Sequence, residues 1–126
     1  MKVNYANPFA YTTALQSQAW YDLRKEFLSY KVELAIGNEE VALGVIERNP
    51  NDGGRWRWDT PLFDREVEEL MSRIVKSERF EAVWLRKENG KYSVLDGHHR
   101  LVAWQKLGNT KVPAVVVHVT PFRSAV

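Results

Sequence analysis

Residues 96–100 read Asp-Gly-His-His-Arg, which puts a carboxylate, a glycine, two imidazoles and a guanidinium at consecutive positions. Side chains of these types gathered in one place suit an anion, phosphate above all. Arg100 offers a planar fork that matches phosphate oxygens. His98 and His99 add donors whose charge changes near neutral pH. Gly97 lets the main chain turn sharply and approach a ligand closely. Asp96 could cap a helix, hold a histidine in one tautomer, or take a divalent ion beside a phosphate. Gly97, His98, His99 and Arg100 are therefore the candidate phosphate or nucleotide contacts, and Asp96, His98 and His99 the candidates for catalysis. The competing reading is a tight Asp-Gly turn followed by solvated side chains. No metal site built from the histidine pair is expected, because neighbours on a helix point about 100° apart.

The elements around this stretch decide whether it can act. KYSVLD before it alternates like a strand, and HRLVAWQKL after it reads as a short helix that stops at Gly108. The first turn of a helix has N–H groups that the helix itself cannot satisfy, and its dipole adds partial positive charge there. A phosphate is favoured at such a junction. Upstream, EAVWLRKE and KYSVLD flank Asn89-Gly90, the strongest short hairpin signal. FDREVEELMSRIVKSE sets Val67, Leu70, Met71 and Ile74 on one helical face, starting at Thr60-Pro61 or Asp64. KVPAVVVHV is a β-branched, buried strand in which His118 reads as a core or edge residue. Glu66, Glu68 and Glu69 could include a catalytic carboxylate, but read more readily as a solvated acidic face near a helix N-terminus.

Toward the N-terminus, Thr13 is a candidate N-cap, and Leu15, Ala19, Leu23 and Phe27 form a helical stripe with Trp20 and Tyr30 beside it. That helix could pack as an extra layer or mediate dimerisation. KVELAI and EEVALGVI look like two strands separated by a Gly37-Asn38 turn. Glu47 to Pro61 reads as a loop. Within it, Arg55, Trp56 and Arg57 could contact a base or single-stranded nucleic acid. The alternative is that the tryptophans cover hydrophobic surface. Trp20, Trp84 and Trp104 read as core.

The chain has 126 residues and no cysteine, so one domain over residues 1–126 is expected and thiol, disulfide and Fe–S chemistry are excluded. A formal net charge of +2 is compatible with a nucleic-acid partner but too small to imply one. No signal peptide or apolar membrane span is legible, and a cytoplasmic location with no membrane partner is the expectation.

DGHHRLVAWQKLGNTKVPAVVV resembles the characteristic segment of the ParB/sulfiredoxin superfamily, also called the ParB-like nuclease domain. Gly97, Arg100 and Ala103 match its Gly-x-x-Arg-x-x-Ala element, and Leu107, Gly108, Pro113 and the following valines match what comes next. The preceding helix and hairpin stand in the family's order. ERNPNDGGRW is loosely similar to a further family segment. The resemblance covers residues 46–119 and implies an α+β fold, a small mixed sheet with packed helices. Residues 1–45 would then be an N-terminal helix and strand extension. It also implies that Gly97, His99 and Arg100 contact nucleotide phosphates, with His98 beside them.

There are departures. Sulfiredoxins carry a reactive cysteine where this chain has His98, so sulfinic-acid repair is excluded. Partition ParB proteins carry Glu-Arg-Arg in place of His98, His99 and Arg100. With the chain ending at Val126, their centromere-binding module is not expected. The DGHHR form is similar to stand-alone members found in phage and mobile-element genomes, and to the serine-kinase branch.

The expected function is binding of a nucleotide or nucleic-acid phosphate at the DGHHR junction, with phosphoryl transfer or nucleoside triphosphate hydrolysis as the candidate reactions. Mg²⁺ would accompany a nucleoside triphosphate or diphosphate. A ParB-like nuclease and a non-catalytic regulator that binds DNA or nucleotide remain as alternatives.

Overall fold

A computed structural model of the chain describes residues 18–47, 61–76 and 82–122. Helix α1 (Gln18–Leu28) leads into the long strand β1 (Val32–Ala42), and one 3-10 turn (Leu43–Val45) leads on to the short β2 (Ile46–Glu47). Helix α2 (Pro61–Lys76) follows, then strands β3 (Val83–Glu88) and β4 (Lys91–Asp96), helix α3 (His98–Lys106) and strand β5 (Lys111–Pro121). The strands form one mixed sheet in the order β1-β5-β3-β4-β2. β5 runs antiparallel to β1 and parallel to β3, while β4 runs antiparallel to β3 and parallel to β2. This is the α+β architecture expected from the sequence. Among the described residues, no helix is long and apolar enough to cross a membrane.

Both faces of the sheet are covered, and β5 shows why its sequence is a near-continuous valine run. Val115, Val117 and Val119 face Trp20 and Leu23 of α1, together with Ile36, Trp84 and Leu95. Val112, Ala114 and Val116 face the other way, with Val41, Val83, Leu85, Val94 and Leu101. A strand buried on both sides needs apolar residues at every position rather than at alternate ones. α1 therefore packs as a layer on the sheet, and Arg86 Nη1 fixes it further by donating to Glu26 Oε2 at 3.0 Å. A third cluster, Val67, Leu70 and Ala103, joins α2 to α3.

Several local expectations hold. Asn89 and Gly90 both take positive φ (53° and 77°), as a two-residue hairpin turn requires. Gly108 takes φ 84° just past α3, the left-handed helix stop. Pro61 opens α2, where a missing N–H costs nothing.

Others need correction. Gly37-Asn38 is not a turn: β1 runs straight through it, with Gly37 opposite Val116 and Asn38 opposite Val115. The β5 template offers an unbroken ladder, and giving up those backbone hydrogen bonds costs more than a weak strand former does. The two expected strands are thus one, and only Ile46–Glu47 forms the second. Tyr30 does not lie on the α1 stripe. At φ 56° it has left the helix, it is 76% exposed, and it meets Phe122 edge-on at 6.2 Å. Thr13, Leu15 and the Arg55-Trp56-Arg57 segment lie outside the described residues.

Leu85 is fully buried at the centre of the sheet. Leu85→Ala is expected to cost about 2–5 kcal/mol of stability, read as a lowered midpoint in urea denaturation.

Candidate functional site

The site begins where β4 ends. Asp96 is the last residue of β4 and His98 the first of α3, so the whole change of direction falls on Gly97. Gly97 sits at φ 105°, ψ 34°, a region that L side chains rarely adopt. A Cβ at this position would stand 3.5 Å from Val83 Cα, which is ordinary contact. The requirement for glycine therefore comes from the backbone angle rather than from a clash. The first helical hydrogen bond follows at once, from Leu101 N–H to Gly97 O at 2.9 Å.

Asp96 does not cap α3 through its side chain. Its Oδ1 accepts from the Gly97 N–H at 2.8 Å, so it braces the turn itself. Burial pushes the Asp96 carboxyl above the ordinary carboxylate range. The Gly97 N–H and the charges of Arg100, His98 and His99 pull it back only in part. Arg100 reaches back over the start of β3, with Nη1 3.5 Å from Ala82 O.

Across from this junction lies α2, held in register by Val67 and Leu70 against Ala103. The two helices and the end of β4 enclose a cleft of about 280 Å³ lined by Glu66, Glu69, Leu70, Arg73, Asp96, Gly97, His99 and Arg100. Glu66 Oε2 lies 2.8 Å from His99 Nε2, a contact that spans the cleft from α2 to α3 and is an ion pair when the imidazole is protonated. The tertiary structure thus brings Asp96, Gly97, His99 and Arg100 to one concave surface. His98 stands apart from that lining, and both of its ring nitrogens are shielded from solvent.

Sequence reasoning set the acidic face of α2 aside as solvated and missed Arg73. Glu66, Glu69 and Arg73 line the cleft, whereas Glu68 faces solvent. A signal was present: positions 66, 69 or 70, and 73 recur on one helical face. The sequence alone does not say that this face lies opposite the DGHHR turn. Among the described residues, no group of three or more His, Cys, Asp or Glu side chains could hold a metal ion. His118 lies away from the cleft, on β5, with Nε2 2.9 Å from Glu39 Oε2.

Comparison with known proteins agrees with this architecture. Residues 34–125 match the family model of the ParB N-terminal domain, and the chain belongs to that family. The match takes in most of β1 as well as the DGHHR region. Sulfiredoxin from Arabidopsis thaliana has a similar fold, with a TM-score of 0.53 and 26% identity over 64% of this chain and 83% of that one. A Pnob8-like ParB-N domain gives a TM-score of 0.50 at 19% identity over 68% of this chain and 31% of the other. The C-terminally truncated chromosome-partitioning protein ParB from Caulobacter crescentus complexed with CTP-γ-S gives 0.48 at 25% identity, over 64% and 43% of the two chains. This chain therefore spans most of the sulfiredoxin but less than half of either ParB relative. No curated protein matches it by sequence.

Two expectations follow from the junction. Gly97→Ala should cost about 1–2 kcal/mol in chemical denaturation, the penalty of a Cβ in a left-handed conformation. Asp96 has a folded pKa raised above the ordinary value of 3.8, so its contribution to stability is fullest below that value and declines as pH rises through the folded pKa. Asp96→Asn keeps an acceptor for the Gly97 N–H and removes the buried charge. The variant should melt higher than wild type at pH 7, and the gap should close as the buffer is taken below pH 3.8.

Proposed function

We propose that this ParB-family domain binds a nucleotide through its phosphates at the junction of β4 and α3. The observation that carries this reading is the convergence of Gly97, His99 and Arg100 with Arg73 on one cleft at the start of a helix. Arg73 and Arg100 line the cleft from α2 and α3, and two guanidinium groups suit an extended anion with several oxygens. The first turn of α3 adds N–H donors and the positive end of its dipole. The resemblance set out from the sequence points the same way, since it implies phosphate contacts at Gly97, His99 and Arg100.

The cleft walls also carry Glu66, Glu69 and Asp96. A magnesium ion carried in by a nucleotide would need one or two ionised carboxylates; Glu69 would be the group to offer one, whereas Asp96 resists ionisation and its Oδ1 already accepts from the Gly97 N–H. The ion's chemistry there would be neutralisation of phosphate charge. The site favours phosphoryl transfer or hydrolysis of a nucleoside triphosphate, with Arg100 and His99 stabilising charge that develops on the phosphoryl oxygens. His98 lies beside Asp96, outside the cleft lining. Sulfiredoxin-type thiol chemistry has no counterpart, as the chain contains no cysteine.

The test is calorimetry with ATP, CTP, GTP, ADP and a short single-stranded DNA, each with Mg²⁺, on wild type and Arg100→Ala. One nucleotide is expected to bind, and the variant to lose about 1.5–3 kcal/mol of affinity, the size of a charge-assisted hydrogen bond. Equal affinity in the two proteins would overturn the phosphate site, and binding of DNA alone would move the function to nucleic-acid recognition.

A further inference from the structure

The contact between Glu66 and His99 is out of place in a site meant for anions. Glu66 brings a negative charge into the cleft and sets it 2.8 Å from His99 Nε2, a group that a phosphate would use. This placement is not an accident of a loose surface chain. Val67, beside Glu66, is fully buried and Leu70 is 6% exposed, and both pack on Ala103 of α3, so the helix face that carries Glu66 is fixed toward the cleft. The carboxylate head itself is less confined, since the Glu66 side chain is 47% exposed against 28% for His99. The backbone thus delivers the charge, and the side chain can still swing away into water.

We infer that Glu66 serves as an internal anion that holds His99 and must be displaced by an incoming phosphate group. This rests on the phosphate reading above and adds a regulator to it. While the ligand is absent, the Glu66–His99 pair ties α2 to α3 across the cleft and keeps the imidazole aimed inward. When a phosphate arrives, two anions compete for one imidazole, so a weakly charged anion gains little over the carboxylate already there. An anion with several charges, which can engage Arg73 and Arg100 at the same time, gains more. Glu66 therefore lowers affinity for every anion that takes its place on His99, and an anion that also engages Arg73 and Arg100 has the most binding energy to offset that cost. The differential contact is explicit, as any competition between two occupants requires.

The probe is inorganic pyrophosphate, which needs no knowledge of the base, titrated calorimetrically into wild type, Glu66→Gln, Glu68→Gln, His99→Asn, Arg100→Ala and the Glu66→Gln/His99→Asn double variant. Glu68 carries the same charge on the same turn of α2 but faces solvent. Glu66→Gln is expected to tighten binding about three- to fivefold, the reach of a partly exposed ion pair. Glu68→Gln should change it less than about twofold. In the His99→Asn background the gain from Glu66→Gln should largely vanish, because the partner is already gone. Unchanged or weaker binding by Glu66→Gln, a gain of equal size in Glu68→Gln, or a gain that survives without His99 would each overturn the displacement. If Arg100→Ala still abolishes binding in those cases, the phosphate site itself stands. If wild type and Glu66→Gln both fail to bind, the phosphate reading falls and the displacement falls with it.

Discussion

The main chain must pass from β4 into α3 in a single residue, and that constraint organises the site. Gly97 meets it by adopting φ 105° while lying in contact with Val83 at the start of β3. Because the turn is so short, Asp96 before it and His99 and Arg100 after it cannot drift from the sheet edge. The strand end is anchored by Val94 and Leu95 in opposite faces of the core, and the helix by Leu101 and Ala103. A left-handed residue held between two such anchors is over-determined by its surroundings, which is how local strain persists in a folded protein.

The second wall of the cleft depends on ordinary packing. α2 touches α3 through Val67, Leu70 and Ala103, all buried. That seam sets the rotation of α2 and so decides which of its charged residues look into the cleft and which into water. The cleft that results mixes signs: arginines and a histidine beside three carboxylates. One carboxylate, Asp96, is half-buried and resists ionisation, so the site carries a cost in stability that the rest of the fold must absorb. A stability-optimised protein would not keep such a group; a binding site has a use for it.

The likeness to sulfiredoxin is one of fold and does not extend to its reactive group. The resemblance read from the sequence implies that His98 stands where sulfiredoxins carry a reactive cysteine, and its ring nitrogens are shielded from solvent. The cleft lining instead runs through the next two residues, His99 and Arg100.

Much of this was legible from residue order alone. The hairpin at Asn89-Gly90, the stop at Gly108, the proline start of α2 and the strand-to-helix turn at Gly97 are local backbone requirements, and only a few residue types meet them. The valine run of β5 announced a β-branched strand buried at least in part; that both its faces are covered is what the fold added. What the tertiary structure decided is non-local. Gly37-Asn38 reads as a turn by itself, yet it is strand because β5 lies alongside to pair with it. Glu66 and Glu69 read mainly as a solvated helix face, and with Arg73 they belong to the site only because α2 packs on α3 opposite the DGHHR turn. Sequence fixes the conformations that a residue tolerates; which distant segment comes to face it is set by the burial of apolar surface between elements far apart in the chain.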